Sequence, residues 1–150
     1  MLDGRAVAER IKAQLRQELA SLRAAPTLAI LSFDTPASRL YRATQVAQAA
    51  SLGINTIEQT LSEAARPEEL ERIIERWNAD PSVHGIFLHQ PMPKQIDPQR
   101  VSGLLDPRKD VEGIHPQHSV RRFFARARIG SCTALAVMEL IEATGVDLAG

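Results

Sequence analysis

Thr27-Leu28-Ala29-Ile30-Leu31-Ser32-Phe33 is a nearly unbroken apolar run of strand length, and it limits what this chain can become more than any other segment. A strand with one wet face alternates polar and apolar residues. One that is apolar on both faces needs cover on both, as in a parallel sheet sandwiched between helices. The flanking sequence supplies that cover. From Gly4 to about Arg23 the residues Val7, Ile11, Leu15, Leu19 and Leu22 recur at steps of three and four until Pro26 stops the pattern. Pro36 to Leu52 returns to helical spacing through Leu40, Ala43, Val46, Ala47 and Ala50. It closes on Gly53, a residue that takes the left-handed helix-stop conformation readily.

Ile54 to Gln59 reads as a second strand. Pro67 to Trp77 reads as a helix, with Glu68 and Glu69 in its first turn and Leu70, Ile73, Ile74 and Trp77 on one face. Gly85-Ile86-Phe87-Leu88 is a third strand, broken at its carboxyl end by Gln90-Pro91-Met92-Pro93, because proline cannot donate into a ladder. Helices are also predicted from Pro98 to Leu105 and from Ala134 to Ala143. The stretch from Asp106 to Gly130 reads as loop apart from a helical turn around Val120 to Ala127.

Strands alternating with helices over such short connections imply right-handed crossovers and a three-layer α/β/α fold with a mainly parallel sheet. In such sheets ligands bind beyond the carboxyl ends of the strands. Three segments leave those ends: Asp34 to Ser38, Thr60 to Arg66 and His89 to Pro93. The helix opening after the first presents Tyr41 and Gln45, one turn apart, toward the same crevice. A site is predicted there, although a single tyrosine on a helix is more often packing than chemistry.

Composition narrows the class. With 44% hydrophobic and 24% charged residues the 150-residue chain is expected to be one globular domain rather than disordered. Eighteen basic and eighteen acidic side chains cancel, so no net field draws it to nucleic acid or anionic lipid. Cys132, the single cysteine, cannot form an internal disulfide, and no stretch approaches the roughly 20 apolar residues of a membrane span. The amino terminus lacks the basic end and apolar run of a secretory signal, so a cytoplasmic protein is expected. His84, His89, His115 and His118 stand at no recognised zinc spacing, and no metal is expected. Walker, nucleophile-elbow and Gly-x-Gly-x-x-Gly sequences do not occur.

In chain order, Asp3-Gly4, Pro36-Ala37-Ser38-Arg39-Leu40-Tyr41, Gly85-Ile86-Phe87-Leu88-His89-Gln90-Pro91-Met92-Pro93, Lys109-Asp110-Val111-Glu112-Gly113-Ile114-His115-Pro116 and Ser131-Cys132-Thr133 form a more specific pattern. It resembles the bifunctional methylenetetrahydrofolate dehydrogenase/methenyltetrahydrofolate cyclohydrolase family across all 150 residues. The resemblance implies that residues 1–150 are the amino-terminal folate-binding catalytic domain. Residues 131–150 would then be the connecting helix toward an NADP-binding Rossmann domain absent from this chain. Intact family enzymes oxidise 5,10-methylenetetrahydrofolate with NADP and hydrolyse the methenyl product. The partner implied is a reduced folate, touched by Ser38, Tyr41, Gln45, Leu88, His89, Gln90, Pro91 and Glu112. Cys132 and Thr133 would lie toward NADP. Family dimers form through the second domain, whose absence would leave an exposed apolar patch on the final helix.

The departures from the family pattern fall in one pocket. The family's lysine four residues after the tyrosine, which handles the proton during hydrolysis, is Gln45, a group that hydrogen-bonds but carries no charge near neutrality. The glutamine that orients the lysine is His89, followed by Gln90. The pterin-binding aspartate is Glu112, and Pro-Cys-Thr-Pro has become Ser131-Cys132-Thr133-Ala134. Tyr41, Gln45 and His89 are thus the catalytic candidates, with two readings open. His89 takes over the proton role with Gln45 orienting it, or acid/base power is lost and the cyclohydrolase step is impaired. A loop slipped by one residue would return Gln90 to the lysine's old partner position, and a solvated loop histidine is the plain reading of His89. The alternative function is a non-catalytic folate-binding or regulatory module, and the isolated chain is expected to be inactive as a dehydrogenase.

Overall fold

The computed structural model describes residues 3–123 and 130–146. Its elements are α1 (Gly4–Ala20), β1 (Thr27–Phe33), α2 (Pro36–Ser51), β2 (Asn55–Leu61), α3 (Pro67–Ala79), β3 (Gly85–Leu88), α4 (Pro98–Leu104), α5 (Pro116–Phe123) and α6 (Cys132–Glu142). The three strands form one parallel sheet in the order β2-β1-β3, with Thr27 opposite Asn55 and Leu28 opposite Gly85. The doubly apolar run is therefore the central strand, with Ala29 to Phe33 all buried. β2 is an edge strand on which only Leu61 is buried. Beyond β3 the backbone N–H of Ile86 donates to Lys109, adding one parallel bridge between Ile86 and Asp110.

Alternation along β1 separates the layers. Ala29, Leu31 and Phe33 pack into one core with Leu70, Ile74 and Trp77 of α3, Ile86 and Leu88 of β3, and Val101 of α4. Leu70, Ile74 and Trp77 are spaced i, i+4, i+7, which puts them on the single stripe that α3 buries. On the opposite face Ser32 is covered by α2, whose Arg42 donates to the Ser32 and Thr60 hydroxyls. Helices on both faces of a parallel sheet give the three-layer α/β/α architecture. Lys109 locks the far end of α3: its Nζ donates to the carbonyls of Trp77, Asn78 and Asp80 at 2.7–2.8 Å, satisfying acceptors that the helix leaves open.

Local chemistry sets the ends. Asp3 caps α1 through the N–H groups of Arg5 and Ala6, and Thr35 caps α2 through Ser38 with Pro36 at the first position. Gly53 has φ +77° just after α2, the left-handed stop read from the sequence. One helix departs from expectation. The segment expected to form a turn near Val120 to Ala127 is helical from Pro116, because proline suits a first helical position and Nδ1 of His115 accepts the N–H of Gln117. Residues 124–127 of that expected turn lie outside the described residues. α6 begins at Cys132, two residues earlier than predicted, and Leu135, Val137 and Met138 on it are exposed. Among the described residues no helix is long and apolar enough to cross a membrane.

Candidate functional site

The carboxyl ends of the strands open into a cleft of about 570 Å³ between the start of α2 and the segment after β3. Ser38 and Tyr41 from α2 line it on one side. His89, Gln90, Pro91 and Met92 line the other, with the Gln90-Pro91 peptide in the cis form. The rim nearest β2 is pinned by Gln95, whose Nε2 donates to the carbonyls of Glu63 and Ala65 at 2.7 and 3.0 Å. The segments leaving the two outer strands, β2 and β3, are thereby joined across the end of β1.

His89 is the centre of the site. Its side chain is 2% exposed, so it is not a solvated loop histidine. Both ring nitrogens are engaged by α2: Nδ1 lies 2.9 Å from Ser38 Oγ and Nε2 lies 2.7 Å from Gln45 Oε1. With an amide oxygen facing Nε2, that nitrogen carries the ring proton. Nδ1 is then free to accept the serine hydroxyl. Burial, and secondarily the Arg42 guanidinium, lower the His89 pKa below its ordinary value, so the neutral imidazole dominates at neutral pH. Because His89 and not Gln90 meets Gln45, the segment has not slipped. Gln90 is exposed on the rim.

Tyr41 is half exposed at 53%, with its ring centroid 5.2 Å from His89 and 6.2 Å from Phe87. Phe87 in turn stands edge-on to His89 at 5.6 Å. Sequence reading missed Phe87, which looks like one more apolar residue of a buried strand. It is partly exposed in β3 and meets the tyrosine edge-on.

The remaining predicted residues divide. Leu88 is fully buried in the core, so its side chain does not face the cleft. Its backbone N–H favours the charged form of the Glu112 carboxyl. Glu112 is not among the cleft-lining residues. It is placed by Asp110, a buried carboxylate that accepts the N–H groups of Glu112, Gly113 and His115. Burial, opposed by the Leu88 N–H and reinforced by Asp110, pushes Glu112 up to about 7, and its Oε2 is buried without a hydrogen-bond partner among the described residues. Cys132 donates to the Val111 carbonyl at 3.2 Å, and burial followed by the nearby Glu112 and Asp110 charges raises its pKa, keeping it a thiol. Thr133 is exposed in the first turn of α6. No group of three or more metal-ligating side chains occurs among the described residues.

A parallel sheet with this order, and an aromatic and polar cluster from α2 and the proline-rich segment after β3, define a small-molecule site of the α/β class. Comparison with known proteins makes the class specific. The chain belongs to the tetrahydrofolate dehydrogenase/cyclohydrolase family, whose catalytic-domain model matches residues 2–112. It is 39% identical over 153 residues to the bifunctional protein FolD of Heliobacterium modesticaldum, covering 99% of this chain and 53% of that protein.

Among solved structures, the bifunctional FolD methylenetetrahydrofolate dehydrogenase/cyclohydrolase of Campylobacter jejuni superposes with a TM-score of 0.93 at 32% identity, over 99% of this chain and 55% of that one. The Trypanosoma brucei methylenetetrahydrofolate dehydrogenase-cyclohydrolase, solved with NADP cofactor and inhibitor, gives 0.93 at 30% identity, over 100% and 53%. The chain spans about half the length of the curated relatives it matches.

Proposed function

We propose that this domain binds a reduced folate in the cleft, with the Tyr41 ring against the flat pterin and aminobenzoate part of the ligand. Ser38, Gln90 and Pro91, which line the cleft, would contact the same ligand, and Glu112, the counterpart of the family's pterin-binding aspartate, would reach a polar edge of the pterin from beyond that lining. The observation that carries this reading is the half-exposed Tyr41 ring lining the cleft beside His89, in a chain of this family. In the whole protein the domain would serve oxidation of 5,10-methylenetetrahydrofolate with NADP and hydrolysis of the methenyl product. Pairing through the second domain and a cytoplasmic setting belong to the same proposal.

Cys132 and Thr133 could offer NADP no more than the first turn of α6.

The hydrolytic step is where this domain departs from its family. Gln45 is neutral and committed to the His89 ring, so it neither holds a positive charge beside the one-carbon unit nor moves a proton. Hydrolysis is therefore proposed to be strongly slowed, and binding without turnover would make the domain a folate-binding module. Calorimetric titration of the chain with tetrahydrofolate tests the reading. Binding is expected, weakened about 2- to 12-fold by Tyr41→Ala, the loss of one aromatic contact. Absence of binding overturns the folate assignment.

A further inference from the structure

Ser38, His89 and Gln45 form a continuous hydrogen-bonded chain that ends in the cleft. Ser38 Oγ lies 2.9 Å from His89 Nδ1, and His89 Nε2 lies 2.7 Å from Gln45 Oε1. Ser38 and His89 both line the cleft, but the imidazole is only 2% exposed with Nδ1 turned to Ser38, so the serine hydroxyl stands between that nitrogen and a bound molecule. Hydroxyl, base and a third group fixing the base's tautomer are the three parts of an activated nucleophile, recognised by geometry and not by position in the sequence. We propose that Ser38 is a nucleophile activated by His89, directed at the carbonyl carbon of a small ester or other activated acyl donor in the cleft.

The step balances within the site. Ser38 Oγ bonds to the carbonyl carbon as its proton passes to His89 Nδ1, and the carbonyl π pair moves onto oxygen. The negative charge forms beside the start of α2, the positive end of a 16-residue helix. There the N–H groups of Ser38 and Arg39 are taken by Thr35, whereas that of Ala37, also lining the cleft, has no carbonyl acceptor in its own helix. Collapse expels the alcohol or phenol with the proton from Nδ1. Water, losing its proton to Nδ1, then cleaves the acyl-serine and restores the hydroxyl. Arg42 and Tyr41 of α2 are the charged and titratable groups facing the imidazole, and neither withdraws the Nδ1 lone pair from Ser38. The activity stands apart from the folate reading and does not depend on it.

The test is labelling of the chain with an alkyl fluorophosphonate, in which Oγ displaces fluoride, followed by peptide mass spectrometry and a p-nitrophenyl acetate assay. A single adduct on Ser38 is expected, with a rate that rises with pH below about 6.5 and is flat above it, as the imidazole loses its proton. His89→Gln should slow labelling about 100-fold or more while circular dichroism shows the fold retained. Should that variant not fold, the pH profile of the unaltered chain decides. Absence of an adduct on Ser38, a rate that keeps rising with pH between 7 and 9, or an unchanged rate in folded His89→Gln overturns the proposal.

Discussion

His89 Nε2 and Gln45 Oε1 lie 2.7 Å apart, joining the third strand's carboxyl end to the middle of α2 through a bond between two neutral groups. That bond occupies the side chain that the family pattern would fill with an ammonium, and it bears directly on hydrolysis. Replacing Gln45→Lys removes the amide acceptor and places a cation within reach of the same imidazole. Decay of the methenyltetrahydrofolate absorbance should accelerate by about 100-fold over the unaltered chain, the scale of one acid/base group. Equal rates would mean that the charge at this position does not limit the step.

His89 also makes the fold acid-sensitive. Its native pKa is lowered, so between that value and about 6.5 the unfolded chain binds more protons than the folded one. Stability from this group is intact above about 6.5 and falls as pH drops through the window. Urea midpoints at pH 5 and 7 should therefore differ less in His89→Gln than in the unaltered chain.

Glu112 acts with the opposite sign. With its native pKa pushed up to about 7 from 4.5, the folded state binds the extra proton between those values, and stability falls as pH rises across them. Glu112→Gln removes that slope. Relative to the unaltered chain the variant should gain urea resistance between pH 5 and 8, whereas a constant difference would show that the carboxyl is not shifted.

Gly85 opens β3 where the bridge segment packs against it. A Cβ there would stand 2.6 Å from Val111 Cγ1 and 3.3 Å from Leu28 Cδ1. The valine is β-branched and stiff, so it cannot swing clear without moving the segment that carries Glu112. Gly85→Ala should cost about 1–3 kcal/mol in urea unfolding, the usual range for an overpacked core.

The strands and most helices were legible because burial imposes period. β1 and β3 coincide with their apolar runs, and α3 with its stripe of Leu70, Ile74 and Trp77. β2 starts one residue later and ends two residues later than the expected Ile54 to Gln59, because an edge strand is held by its ladder to β1 rather than by side-chain burial. α5 was misplaced because its cap is the His115 ring, a residue outside the usual capping set.

In the site, Tyr41, Gln45 and the proline-rich segment could be placed together from helix spacing and strand polarity alone. The sequence does not say that Ser38 and Gln45 hold the two nitrogens of His89, since this depends on side-chain directions across two elements. Leu88 shows the converse: a residue inside a functional motif whose side chain belongs to the core.

Gln95 gives the cleft a mechanical property. Since one amide ties the chain after β3 to the turn after β2, separating these two margins of the opening costs both of its hydrogen bonds. Widening by displacement of α2 instead pulls on Ser38 and Gln45. Guest size and imidazole alignment are in this way geared together, so an oversized occupant would disengage the very groups that hold the ring.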